Sequence, residues 1–202
     1  MTCRPVPLCW PGATVVIIAG GLSLTDDDCA YVEGRAKVIA INDSWRRAPF
    51  ADILYGSDAK WWNYYRGVPE FTGEKWLQDK LEPLGAECAA RWGLNLVRSE
   101  PGQGLSLDPS YIHQGSNSAY QAMNFAVLAG AVRILFLGLD CQGGHWHGEH
   151  PVEIRGTPNY AGAIKAFETS LADLSLRGIS VINCSPATAL MCFPRKPILE
   201  CL

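Results

Sequence analysis

The sequence predicts an open α/β sheet, mostly parallel, with helices on both faces. Three observations predict it. Short, nearly continuous apolar runs recur along the chain, as strands covered on both faces require. Each run ends in Gly, Asn, Asp or Ser. Between the later runs stand stretches whose apolar residues repeat at three and four positions, the spacing of a helix with one buried side. Parallel strands expose their carboxyl ends along one edge, so the small polar residues collect where open sheets bind ligands.

Length and charge narrow the function classes. With 202 residues the chain suits one domain with a core that needs no covalent staples. Its 17 basic and 20 acidic residues give a net charge of −3, so no broad cationic surface marks a nucleic-acid or anionic-membrane partner. The eight cysteines are scattered singly without a C-x-x-C pair, which reads as a reduced, cytoplasmic chain with cysteine as a small hydrophobe. Pro5, Pro7 and Pro11 interrupt the first residues, no export-type apolar run follows, and no segment is long enough to span a membrane. The expected organisation is a loose arm over 1–12, a single domain over 13–195 and a tail over 196–202.

Ala13–Ala19 is the clearest strand, and Gly20-Gly21-Leu22-Ser23 follows at once. Glycines at a strand exit let the backbone turn sharply and approach a ligand, although the full G-x-G-x-x-G fingerprint is missing. Thr25 and Asp28 are spaced as an N-cap and its partner, with Asp26, Asp27 and Asp28 at the positive end of a helix. Ala36–Ile41 and Ala51–Tyr55 are the next strands, delivering Asn42-Asp43-Ser44 and Gly56-Ser57-Asp58 to the same edge. Asn42 suits a ribose or phosphate contact, and Asp58 a hydroxyl or cation, against the plainer reading of turn and cap residues. Asp58–Tyr65 and Glu74–Leu81 read as helical, and Glu87–Trp92 and Leu94–Val97 as short strands or an irregular excursion. The aromatic cluster Trp61, Trp62, Tyr64 and Tyr65 is expected in the core or at a subunit contact rather than stacked on a base or sugar. Residues 98–112, rich in Gly, Pro and Ser, are the candidate lid.

The stretch Gln114–His150 carries the densest chemistry. Gly115, Ser116, Asn117 and Ser118 lead into a helix over Ala119–Ala129, whose opening N–H groups suit an anion. Val132–Gly138 is a buried strand, and Asp140, His145, His147 and His150 crowd the loop after it. His113 is a weaker candidate beside them. Histidine titrates near neutral pH and suits a general base. The same three imidazoles, His145, His147 and His150, with Asp140, Cys141 or Glu149 nearby, also permit a transition-metal site. Ala163–Arg177 follows as an amphipathic helix closed by Gly178, then Ile179–Asn183 as the last strand.

Four ordered segments, IIAGGLSL, IAIND, SNSAYQA with LAGAVRILFLGLD, and GISVINCSPATALMCF, resemble a superfamily. It contains bacterial lipooligosaccharide sialyltransferases, motility-accessory glycosyltransferase-like proteins and archaeal hydroxymethyl-dihydropterin diphosphokinases. HWHGEHP is similar to a segment of uncharacterised phage and prophage members. The resemblance runs from Ala13 to Phe193 and implies a Rossmann-like fold that transfers a group from an activated nucleotide. It implies nucleotide contacts at Gly20, Gly21, Ser23, Asn42, Asn117, Ser118 and Thr188, and a catalytic histidine in the loop after the central strand, where His147, His145 and His150 are the candidates. The first loop is one residue shorter than in the sialyltransferases and lacks the Asn between its glycines.

The expected function is therefore a nucleotide-binding transferase, glycosyltransferase-like, using a cytidine or uridine nucleotide sugar (CMP- or UDP-sugar) without a resident metal. One alternative is a pterin-type diphosphokinase holding Mg2+ on Asp58 or Asp140. The other is a phage-associated binding or assembly protein without chemistry. Self-association as a homo-oligomer is left open.

Overall fold

Buried strands with apolar residues at consecutive positions must find a hydrophobic partner on each side, and the fold supplies two. In the computed structural model, which describes residues 2–80 and 83–202, eight strands form one sheet. They are β1 (Thr14–Ile18), β2 (Lys37–Ile41), β3 (Ile53–Gly56), β4 (Glu74–Asp79), β5 (Asn95–Glu100), β6 (Tyr111–His113), β7 (Arg133–Leu137) and β8 (Ser180–Asn183). Every neighbouring pair is parallel, in the order β6-β5-β4-β3-β2-β1-β7-β8. The expected mostly parallel sheet is parallel throughout.

Alternate side chains point to opposite faces. Val15, Ile17, Ile39, Tyr55 and Trp76 enter one core with α4 (Ser118–Leu128), α5 (Tyr160–Thr169) and α6 (Leu171–Leu176). Val16, Ile18, Val38, Leu54 and Leu77 enter the other with α1 (Asp26–Val32), α2 (Ala59–Tyr64) and α3 (Pro83–Trp92). Trp61 and Trp62 of the aromatic cluster are buried there, whereas Tyr64 is exposed. The capping pair also forms: Thr25 Oγ1 accepts from the Asp28 N–H at 3.1 Å and donates to the Asp28 carboxylate at 2.7 Å.

Several local expectations are corrected. Glu74–Asp79 is strand rather than helix, because Trp76 and Leu77 divide between the two cores while the backbone pairs with β3 and β5. Leu81, the last residue of that expected helix, lies outside the described residues. Glu87–Trp92 belongs to helix α3, with Cys88 and Ala89 buried. The single helix expected over Ala163–Arg177 is two, α5 and α6, meeting at Ser170, whose hydroxyl donates to the Phe167 carbonyl at 2.6 Å. The arm is not loose over its described part: Val6 and Trp10 are buried, and Arg4, Val6 and Trp10 donate backbone hydrogen bonds to Leu96, Pro109 and Ala129. Met1, its first residue, lies outside the described residues. The tail is fastened too, with Ile198 and Cys201 buried and the Cys201 carbonyl accepting from Arg133 at 2.7 Å.

The segment 98–112 begins in β5 and ends in β6. Between them, Leu105 and Ser106 are buried, and their N–H groups donate to Asp173 and Asn124 at 2.8 and 3.0 Å. His113 is held by the Gly104 carbonyl, 2.9 Å from Nδ1. This connection packs on α4, α5 and α6.

The chain order gives the sheet a switch point. From β1 the strands are added outward to β6. The chain then returns through α4 and places β7 on the other side of β1. The boundary between β1 and β7 is therefore the sheet's switch point, with a crevice at its carboxyl edge. Among the described residues, no helix is long and apolar enough to cross a membrane.

Candidate functional site

The crevice is a cavity of about 130 Å³ walled by the exits of β1, β2 and β7 and the start of α4. The loop after β7 folds back over the β1 glycines. Gly21 and His145 form an antiparallel bridge, and the Trp146 N–H donates to the Gly20 carbonyl at 3.0 Å. Gly21 is required by close approach, since a Cβ there would lie 2.6 Å from the Gly138 carbonyl oxygen. Residues far apart in sequence thereby share one cavity: Gly20 and Gly21, Asn42, Asn117 and Ser118, Asp140, and all three loop histidines line it.

Asn42 adopts φ of 46°, a left-handed backbone that asparagine tolerates better than most residues. Its Oδ1 is buried without a hydrogen-bond partner, an arrangement that costs stability unless a ligand completes it. The next residue was not among the expected site residues. Asp43 is 3 % exposed, and its carboxylate accepts from Trp61 Nε1 at 2.8 Å and Arg46 Nε at 3.3 Å. Trp61, read as core, also orients this carboxylate.

The three imidazoles cluster. His145 and His147 stack with centroids 5.1 Å apart and planes within 5°. His150 lies 4.7 Å from His147 and 5.1 Å from His145. His150 Nδ1 is buried, 3.5 Å from Asp43 Oδ2, but is not aligned for a hydrogen bond with it. Burial pushes the His147 imidazole down to about 4; Asp43 opposes this, while His150, His145 and Arg46 reinforce it. Burial also lowers His150, against the pull of Asp43. His147 therefore stays neutral at neutral pH, with a free ring lone pair. Arg47 packs over the Trp146 ring at 4.1 Å and pairs with Asp26 at 2.9 Å, clamping the loop between the histidines.

Other expected residues serve construction. Asp140 is 4 % exposed, and its two oxygens accept from the Ser23 N–H, at 2.9 Å, and from the Ser23 hydroxyl. That pair ties the β1 loop to the β7 loop and engages both groups. Thr188 does not face the cavity: its hydroxyl donates to the Leu139 carbonyl at 2.8 Å and accepts from the Leu190 N–H at 3.0 Å. Gly115 also lies off the cavity wall, and a Cβ there would collide with the Tyr120 ring. Asn117 caps α4, its Oδ1 accepting from Ala119 and Tyr120 at 2.8 and 3.3 Å, so part of the helix start is occupied by its own cap. Among the described residues, the N–H groups of Gly115–Ser118 donate no backbone hydrogen bond.

A second, more open space of about 560 Å³ continues from the first and shares Asn42, Asn117, Ser118, His145, His150 and Tyr160 with it. Asp58 borders this groove, its carboxylate capping α2 through the Lys60 N–H at 2.8 Å. Ser57 and Ser118 hydroxyls meet at 2.7 Å, and Lys80 lines the wall. Gln78 was missed because β4 was read as helix. At that strand's carboxyl end it donates to the Ser57 carbonyl at 2.9 Å, leaving Oε1 buried and unpartnered.

No protein-family model matches the chain, and no curated protein matches it. A solved structure does: the sialyltransferase CstII from Campylobacter jejuni, in complex with a substrate analogue, cytidine-5'-monophosphate. The two share 13% identity with a TM-score of 0.57, covering 92% of this chain and 85% of that one. At that identity the likeness shows a common Rossmann-like fold.

Proposed function

We propose that the protein is a glycosyltransferase that moves a sugar from a cytidine or uridine nucleotide to a hydroxyl acceptor. One observation carries the reading. Asn42, whose Oδ1 is buried and unpartnered, lines a crevice at the sheet's switch point, opposite a helix start and beside three imidazoles. The fold shared with a sialyltransferase that holds cytidine-5'-monophosphate supports the same class of ligand.

The donor lies along the crevice and its groove. Asn42 Oδ1 accepts from a ribose hydroxyl or base amino group, and the open N–H groups before α4, with Ser118, receive the phosphate. Lys80 adds a positive charge along the groove. The acceptor oxygen attacks the anomeric carbon. The bond from that carbon to the phosphate oxygen breaks, and the nucleotide leaves with the electron pair. The acceptor proton passes to His145, which borders both cavities where His147 borders only the inner one. Donors at the helix start stabilise the departing phosphate. Asp140 and Asp58 are engaged by Ser23 and the α2 cap, which does not favour the carboxylate-held Mg2+ of a diphosphokinase.

A thermal-shift screen over CMP, UDP, their sugar conjugates and ATP with Mg2+ tests the reading. The expected result is stabilisation by a cytidine or uridine nucleotide, and release of that nucleotide from its sugar conjugate. Stabilisation by ATP with Mg2+ alone points to the diphosphokinase, and no response to any nucleotide to a binding protein.

A further inference from the structure

We infer that Asp43, His147 and His150 form a binding site for one divalent first-row transition metal of the zinc class, at the inner wall of the crevice. The inference goes beyond sugar transfer and does not need it.

One carboxylate oxygen and one ring nitrogen from each histidine lie within 4.8 Å of one another. A tetrahedral site with bonds of about 2.0 to 2.2 Å has edges of roughly 3.4 Å. Small imidazole rotations close that gap, and His147 and His150 sit on an irregular loop that permits them. His150 Nδ1 is buried and unpartnered, although a carboxylate oxygen stands 3.5 Å away. A cation between the two would satisfy both. The carboxylate is held from behind by Trp61 Nε1 and Arg46 Nε, the outer support that metal-binding carboxylates need.

The donor set selects the metal. Two imidazoles and one carboxylate suit Zn2+ and its neighbours, whereas Mg2+ prefers oxygen ligands alone. Three protein ligands leave a coordination position open toward the crevice, as in sites where a metal meets substrate. The charge of Arg46 opposes a cation, but its side chain is 45 % exposed, and solvent screening reduces that repulsion to a modest loss of affinity. His145 stands outside the ligand set and remains free to take a proton. This assignment differs from the trio expected from the sequence by exchanging His145 for Asp43.

The test is calorimetric titration of Zn2+, and of Co2+ with visible absorption, into the chelator-treated full chain. One equivalent should bind to the native protein and to His145→Gln. Asp43→Asn and His150→Gln should bind at least about tenfold more weakly. Imidazole NMR of the native protein guards against misfolded variants: Zn2+ should shift His147 and His150 strongly and leave His113 unmoved. No stoichiometric binding, equal binding by all variants, or unmoved His147 and His150 resonances overturns the inference. Metal binding without nucleotide affinity upholds it and removes the transferase proposal. Nucleotide affinity without metal binding does the reverse.

Discussion

Two groups of polar residues around the crevice differ in whether their hydrogen-bonding groups are taken. Around Asp140, Ser23 and Thr188, hydrogen-bonding groups are committed to one another or to nearby carbonyls. Around Asn42, Gln78 and His150, buried polar atoms have no partner. Both groups stand at strand exits, and both consist of residue types that a ligand site uses. The bolted group fixes the relative positions of the β1 and β7 loops. The open group holds groups a ligand can still satisfy. An unfilled buried polar atom costs about 1 to 3 kcal/mol, which a ligand on the second group would recover.

Substitutions separate the two groups. The largest effect is expected for His145→Ala, which should lower turnover of a nucleotide sugar by about 10² to 10⁴-fold while nucleotide affinity changes little. Steady-state kinetics beside equilibrium binding reads both. Asp140→Ala should act in the opposite manner, costing about 2 to 4 kcal/mol in urea unfolding because the Ser23 donors lose their buried acceptor. Gly21→Ala follows at about 1 to 3 kcal/mol, from the clash with the Gly138 carbonyl. Thr188→Val should cost about 1 kcal/mol and leave nucleotide affinity as it was. A loss of binding without a loss of stability at Asp140 or Thr188 would dissolve the distinction.

The open group also implies a pH dependence. The folded His147 imidazole titrates at about 4 against an ordinary value of 6.5, so between these values the unfolded chain binds more protons. Stability is then complete above about 6.5 and declines as the pH falls toward 4. His150, lowered in the same direction, adds to the slope. Thermal melts of chelator-treated protein across that range should show the decline, and His147→Gln should flatten it.

Much of the architecture was legible because the physics is local. The runs Ala13–Ala19, Ala36–Ile41 and Val132–Gly138 are strands by composition alone, and their polar exits mark the edge that carries the crevice. Glu74–Asp79 was not legible. Its charged residues at both ends mask a two-sided burial that exists only once β3 and β5 are in place. Gln78 was lost with it. In the site, residue types were readable and their commitments were not. Nothing in the sequence distinguishes the hydroxyl of Thr188, turned onto a carbonyl 49 positions away, from one that meets a ligand. Asp43 was overlooked beside Asn42, although both stand at the β2 exit and line the same crevice.

The most direct measurement is calorimetric titration of cytidine-5'-monophosphate into the native protein and the Asn42→Gly variant, which removes the open acceptor but keeps a residue at ease in the left-handed backbone. The native protein should bind one equivalent, and the variant should bind at least about tenfold more weakly. Absence of binding to the native protein, or equal affinity in the two, would contradict the placement of a nucleotide in this crevice.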